Sequence, residues 1–248
     1  MSVTSILSKL KEINESDLIS VYVPSLNKNM KFKTISVKQQ KDLIKSGMDG
    51  ALGGIVISNV INQIICDNAT EKYDFLVVDK IPIIVALRSK AFGSTFELKT
   101  ENKNVIFNLE GILKTPIKFS NIKNKELIFE EHNISLELSV LSLEEDIKIN
   151  IFQLEKLKKA KDEDLSETVG SLFVYEILKF VSKITVGSDE INMKEFPIKD
   201  RLTIVENLPA TINNEILDYI QTFRKEEMSY ITVDGESLPI DARLFSKE

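Results

Sequence analysis

The sequence predicts an α+β fold, predominantly helical, with a central β-rich insert and short terminal β-hairpins. Three observations carry that expectation. Two serine-led tetrads with capping-box spacing, Ser36 to Gln39 and Ser142 to Glu145, each open an apolar run of helical period. Between residues 95 and 140 the period changes to short extended runs. Near the end, Asp234-Gly235 separates two short runs in the manner of a tight hairpin turn.

Taken in order, Ile19 to Val23 and Met30 to Ile35 are β-branched or alternating runs, and Pro24-Ser25-Leu26-Asn27-Lys28-Asn29 between them suits a turn, which predicts a hairpin. A helix begins at the Ser36 cap, where hydroxyl and amide side chains satisfy free backbone N–H groups, and carries Val37, Leu43 and Ile44. Gly47, Gly50, Gly53 and Gly54 then break it, since each glycine weakens a helix by roughly 0.5–1 kcal/mol relative to alanine. A second helical pattern runs through Ile57, Val60, Ile61, Ile64 and Ile65. Asp79 precedes Pro82 and the apolar stretch Ile83 to Leu87, which reads as a buried helix with proline in its first turn.

The β-rich insert comprises Thr95–Lys99, Val105–Leu109, Pro116–Phe119, Glu126–Phe129 and Ile134–Val140, and the alternation of Ile134, Leu136, Leu138 and Val140 gives one buried and one wet face. After Ser142, the spacing of Ile147, Ile151, Leu154 and Leu157 predicts a helix with Lys158 and Lys159 at its C-terminal end. A charged link, Lys158 to Asp164, leads to a helical stretch with Leu172, Phe173, Tyr175, Glu176, Leu178, Lys179 and Phe180, flanked by Val169 and Val181. Gly187-Ser188 turns a small hairpin, and Pro197 and Pro209 start two helices, over Leu202 to Val205 and Ile212 to Phe223. Ile231 to Leu238 is strand, turn, strand. No internal sequence repeat stands out. The expected domains are 1–92 (N-terminal hairpin and helices), 93–141 (the β-rich insert) and 142–248 (C-terminal helices with the terminal hairpin).

A chain of 248 residues is long enough to bury a substantial core, and 43% hydrophobic with 28% charged residues is an ordinary globular composition. Its net charge of -6 disfavours nucleic acid and anionic lipid as partners. One cysteine, Cys66, rules out an intrachain disulfide, and with the single histidine, His132, it leaves almost nothing from which to build a Cys/His metal site. The amino terminus has no extended apolar core with a cleavage site, and the longest apolar passages, around Ile55 and Ile83, fall short of the roughly 20 residues of a membrane span. Neither secretion nor membrane insertion is expected, and a reducing cytosol is the natural compartment.

The candidates for chemistry all have plainer readings. Gly50-Ala51-Leu52-Gly53-Gly54 lacks the Gly-Lys-Ser/Thr ending of a phosphate loop and reads as a helix break. Glu130-Glu131 reads as a solvated edge, and Glu144-Glu145-Asp146 as a helix N-terminus stabilised by negative charge. Cys66 lies in an apolar helical pattern and reads as a small core residue, with no base-orienting partner for a Cys66–His132 pair. Lys28, Lys31, Lys33, Lys38 and Lys41 form the most basic region, without aromatic interleaving beyond Tyr22 and Phe32, and read first as a solvated face, next as a protein contact surface and last as a nucleic-acid groove. Asp234-Gly235 is hairpin chemistry. No catalytic, cofactor-binding or metal-ligating residue is assigned. An enzyme or nucleotide-binding protein whose groups converge only on folding, and a nucleic-acid-binding accessory protein, are the alternatives from other classes.

Two blocks carry a family resemblance: Val21-Tyr22-Val23-Pro24-Ser25-Leu26 through Val37-Lys38-Gln39-Gln40-Lys41, and Tyr175-Glu176-Ile177-Leu178-Lys179-Phe180-Val181-Ser182-Lys183-Ile184 with Thr232-Val233-Asp234-Gly235 and on to Leu244-Phe245. They resemble the baseplate hub and hub-assembly proteins of T-even-like contractile-tailed bacteriophages. Residues 93–160 are much less diagnostic, and cysteine pairs carried there by some relatives are missing from this chain, so no zinc is implied. The resemblance implies a non-enzymatic morphogenesis protein, an assembly chaperone or hub subunit, that binds other baseplate hub or tail proteins. It would work in the host cytoplasm during assembly and, if retained, in the tail baseplate of the virion. A homo-oligomer is an open alternative.

Overall fold

A computed structural model describes residues 3–48, 52–101, 103–115, 124–159 and 172–246. The chain divides into two compact units, one of residues 1–117 and 228–248, the other of residues 118–227. The first opens on helix α1 (Val3–Ser16), which buries no residue. Strands β1 (Leu18–Val23) and β2 (Lys28–Lys33) then form an antiparallel hairpin through one 3-10 turn, Pro24–Leu26, closed by Asn27 in the left-handed region at φ 50°. Asparagine tolerates that backbone because its short polar side chain bonds locally, and here its Oδ1 accepts the Tyr22 hydroxyl at 2.7 Å. Alternation places Val21, Val23, Met30 and Phe32 in the core.

Helix α2 (Val37–Ser46) starts at the expected capping box, with Ser36 N donating to Gln39 Oε1 at 3.0 Å and Gln39 N to Ser36 Oγ at 3.3 Å. It stops at Gly47, where a Cβ would lie 2.4 Å from the Ala242 Cβ, so the close approach of the C-terminal segment requires glycine. Helix α3 (Gly53–Asn68) follows, with Gly53 and Gly54 inside its first turn, so the break falls between Ser46 and Gly53; Gly50 lies outside the described residues. Helix α4 (Lys80–Phe92) is buried along Ile83, Ile84, Val85 and Leu87, with Pro82 in its first turn as expected. Strands β3 (Thr95–Lys99) and β4 (Asn104–Asn108) pair antiparallel and lead into a short helix, α5 (Leu109–Lys114), capped by Asn108. Alternating apolar residues predict a strand through Leu109, but it ends at Asn108, where α5 starts at a cap that only the Asn108–Gly111 bond reveals.

In the second unit, β5 (Lys125–Phe129), β6 (Ile134–Leu138), β7 (Val181–Val186) and β8 (Asp189–Asn192) form one antiparallel sheet in that order. The extended segments of residues 93–141 are thus shared, β3–β4 lying in the first unit and β5–β6 in the second; the Pro116–Phe119 segment lies outside the described residues. Helix α6 (Leu143–Lys159) follows β6, and α7 (Leu172–Leu178) precedes β7. Val169 and the charged link beyond Lys159 lie outside the described residues. Helix α8 (Ile198–Glu206) begins at Pro197, and α9 (Ala210–Tyr230) follows Pro209, burying Ile212, Ile216, Tyr219, Ile220 and Phe223 on one face. Phe180 packs edge-on against Tyr219 and Phe223, with centroids 5.9 and 5.2 Å apart.

The division between units falls after Glu227, near the end of α9, and the chain finishes in the first unit. There β9 (Thr232–Val233) and β10 (Glu236–Ser237) pair through Asp234 and Gly235, both at positive φ, the turn the sequence calls for. A last 3-10 segment, Ala242–Phe245, buries Leu244 and Phe245 completely; Arg88 Nε and Gln40 Nε2 donate to their carbonyls at 3.1 Å each.

One local arrangement occurs twice. The β5–β6 hairpin turns through a 3-10 segment, Glu130–His132, closed by Asn133 at φ 51°, and leads to the Ser142 cap of α6. The β1–β2 hairpin turns through Pro24–Leu26 and Asn27 and leads to the Ser36 cap of α2. Asn27 stands to Ser36 as Asn133 does to Ser142, at the same separation, and Met30, Phe32 and Leu43 have buried counterparts in Leu136, Leu138 and Ile149. Apart from that asparagine and serine, these matched positions differ in residue identity, so no repeat stands out in the sequence.

Candidate partner-binding surfaces and buried polar clusters

The Pro24–Leu26 turn is held from a distance. Ser25 N and Ser25 Oγ donate to the two Asp79 carboxylate oxygens at 2.8 and 2.6 Å, and Leu76 N donates to Oδ2 at 2.8 Å. Asp79 has no exposed surface. Burial pushes its pKa up, against the three hydrogen bonds that favour the carboxylate. This joint, spanning 54 residues, is invisible in the sequence, which places Asp79 only as a residue ahead of a helix. A cavity of about 200 Å³ lies beside the hairpin, lined by Ser20, Tyr22, Pro24, Pro82, Leu113 and Tyr230, and burial pushes the Tyr230 hydroxyl pKa up to about 12.

Beside the glycine break, α2 shows an outer apolar stripe. Val37, 83% exposed, and Ile44 lie seven residues apart on one face of α2, Met48, 81% exposed, follows just past its Gly47 end, and Leu43 and Ser46 face the core. Helical period alone could not separate Val37 and Ile44 from the core residue Leu43. A second stripe runs along α1 through Val3, Ile6, Leu7, Leu10 and Ile13, all exposed. Their i, i+3, i+4, i+7 spacing is the signal in the sequence that marks an amphipathic helix here.

In the second unit the buried face of α6 is polar. Glu145, Asp146, Asn150 and Gln153 are buried beside Leu143 and Ile149, whereas Ile151, from the expected apolar face, is exposed. Arg201 Nη1 of α8 lies 2.6 Å from Glu145 Oε1, and Lys148 Nζ lies 3.1 Å from Oε2. Burial raises the Glu145 pKa, but hydrogen bonds and charge from Arg201 and Lys148 outweigh it and hold the group below the usual glutamate range. Lys179 Nζ reaches Asp146 Oδ1 at 2.9 Å and donates to Asn150 Oδ1 at 2.7 Å. Arg224 pairs with Glu176. The acidic start of α6 is therefore a helix N-terminus and also the centre of a buried ion-pair network, which the sequence did not reveal because Arg201 and Lys179 come from distant helices. Such pairs fix geometry more than they add net stability.

The open face of the second unit's sheet carries a polar groove of about 490 Å³ with Asn124, Glu126, Ser135, Glu137, Lys183 and Glu190. Lys183 Nζ sits 2.7 Å from Glu190 Oε2, and Asn124 Nδ2 donates to Glu137 Oε1 at 3.0 Å. Among the described residues no group of His, Cys, Asp and Glu is placed to hold a metal ion.

The residues singled out in the sequence lie apart. Glu130, Glu131 and His132 form the exposed β5–β6 turn in the second unit, and half-buried Cys66 sits on α3 in the first. Lys28, Lys31, Lys38 and Lys41 are exposed and Lys33 is half-exposed. Among the described residues no helix is long and apolar enough to cross a membrane.

Comparison with known proteins adds one finding. No curated protein and no solved structure matches the chain. The family model for T4 bacteriophage base plate protein matches residues 17–234, from the residue after α1, through both hairpin–helix arrangements, to the β9–β10 turn. With that match spanning both units, the chain belongs to the T4 bacteriophage base plate protein family, with the structural or assembly role in the phage baseplate which that membership carries.

Proposed function

We propose that this protein is a non-enzymatic tail morphogenesis factor that binds other proteins of the baseplate hub, as a chaperone while the hub assembles or as a subunit retained in it. The observation that carries the reading is the exposed apolar set at α2, where Val37 and Ile44 lie seven residues apart on one helix face and Met48 follows just past the Gly47 end, all presenting apolar side chains to solvent. Among the described residues of the first unit nothing covers these side chains, so a protein partner supplies the reason for their being apolar. The stripe is narrow, and that favours the smaller, wetter interface of a transient contact over the roughly 2,000 Å² or more of a permanent one.

The test is affinity purification of the tagged protein from infected cells, with mass spectrometry of captured assembly intermediates and of mature tails. Hub proteins captured by the wild type and lost on Val37→Glu with Met48→Glu are the expected result. Recovery of no tail protein would overturn the proposal. Presence in intermediates alone identifies a chaperone, and presence in mature tails as well a subunit.

A further inference from the structure

Helix α1 poses a separate question. Its exposed residues follow a heptad: Val3 and Leu10 take a positions, Ile6 and Ile13 take d positions, and Leu7 widens the stripe at an e position. Their exposures, 74, 50, 45, 60 and 60% in that order, leave the seam uncovered. Positions b, c and f are all polar: Thr4, Ser5, Ser8, Lys11, Glu12 and Glu15. The alternative register through Val3, Leu7 and Leu10 would bring Asn14 into the seam and leave Ile6 and Ile13 beside it. The first register therefore buries more apolar surface. The family match begins directly after this helix, so α1 lies outside the segment that defines the family.

We infer that α1 is a self-association helix, which packs in parallel and in register with α1 of other copies of this chain in a bundle of three or four strands. Charge and side-chain shape select that occupant. In a parallel bundle the g position, Lys9, faces the e position of the next copy, Asn14, so no like charges meet. The helix carries Lys9, Lys11, Glu12 and Glu15 and is itself neutral, although the chain has a net charge of -6, so copies are not repelled along the seam. Leu10 at a with Ile13 at d is the pairing that favours three or four strands over two, Ile6 below Val3 keeps isoleucine at both d positions, and the apolar e residue Leu7 adds the wider contact face such a bundle needs. Two heptads make a marginal helix in isolation. Association is accordingly weak in dilute solution and tightens where an assembly brings copies together.

Sedimentation velocity of the purified full-length protein over rising concentration tests this independently of hub binding, because no other protein is present. Reversible growth from 28.1 kDa to three or four times that mass is expected. Leu10→Lys should abolish it, and Ser8→Lys, at an f position, should leave it intact. In a Cys66→Ser background, Ile13→Cys should form oxidative cross-links between chains and Ser8→Cys should not. A monomer at every concentration, a strict dimer, or an oligomer that survives Leu10→Lys overturns the inference. Leu10 is half exposed, so loss of folding does not confound the variant, and circular dichroism confirms it.

Discussion

The hairpin–helix of the first unit and that of the second share a turn, a left-handed asparagine and a serine cap, but polar partners of different kinds complete them. Beside the Ser36 cap the contact is neutral: Gln39 Nε2 donates to Asn68 Oδ1 at 2.7 Å, and Asn68 Nδ2 donates to the Thr34 carbonyl at 3.3 Å. Beside the Ser142 cap the equivalent Glu145 meets Arg201 in a buried ion pair. The turns differ likewise. Asp79 clamps Ser25 in the first unit, while in the second Gly187 N of the neighbouring hairpin donates to the Asn133 carbonyl at 2.9 Å. Local sequence sets the scaffold, and distant residues decide whether amides or charges lock it.

The largest consequence lies at Arg201. Arg201→Met leaves Glu145 buried without its main partner and should cost about 3–5 kcal/mol, the range for breaking one side of a buried pair. At the matching place in the first unit, Asn68→Ala removes neutral hydrogen bonds and should cost about 1–2 kcal/mol. Adding Glu145→Gln to Arg201→Met installs the neutral chemistry of the first unit and should recover most of the loss. Urea unfolding with segment-resolved hydrogen exchange reads all three. Equal losses for Arg201→Met and Asn68→Ala would break the comparison.

Acid should move the two units in opposite directions. Glu145 has a depressed folded pKa, so its contribution is present above the unfolded glutamate value, about 4.3, and is lost as pH falls through the folded pKa. Asp79 has a raised folded pKa, so its contribution is present below the unfolded aspartate value, about 3.9, and is lost as pH rises through the folded pKa. Opening free energies from hydrogen exchange, corrected for intrinsic rates, should fall for β1–β2 as pH rises above about 4, and for α6 should rise with pH only below about 4 and level off above it. Asp79→Asn should flatten the first slope and leave the second. Slopes of one sign in both units would show that neither carboxylate controls its hairpin.

What the sequence revealed follows the same line between local and distant. Both caps, the β1–β2 hairpin, the β9–β10 turn, the glycine break and the proline-led starts of α8 and α9 are short-range features, each legible from spacing and turn chemistry, while β5 and β6 are legible only as extended runs. The α6 face was not, because apolar period points to Ile147 and Ile151 while Arg201 and Lys179 make Glu145 and Asp146 the buried residues. Asp79 was missed for the same reason, its partner lying 54 residues away. The family-bearing Pro24-Ser25-Leu26 block coincides with the clamped turn, whereas the exposed apolar residues of α2 and α1 look like any core apolar residue in one dimension.

The smallest effect separates the caps themselves. Ser36 belongs to a reciprocal box, since Gln39 Oε1 accepts from Ser36 N while the Ser36 hydroxyl accepts from Gln39 N. Ser142 Oγ accepts Glu145 N at 3.4 Å, a longer bond, and the Glu145 carboxylate is engaged by Arg201. The first turn of α6 also holds Glu144, Glu145 and Asp146, which offset the positive end of the helix dipole, and the first turn of α2 holds no acid. Ser36→Ala should therefore cost about 1 kcal/mol and Ser142→Ala about half of that. Ser36→Asp, which keeps an acceptor and adds the missing negative charge, should hold α2 at or above wild-type stability. If Ser142→Ala proved the more costly, the hydroxyl would be positioning Glu145 for Arg201 as well as capping α6, and Ser142→Ala combined with Arg201→Met would then cost less than the two losses added together.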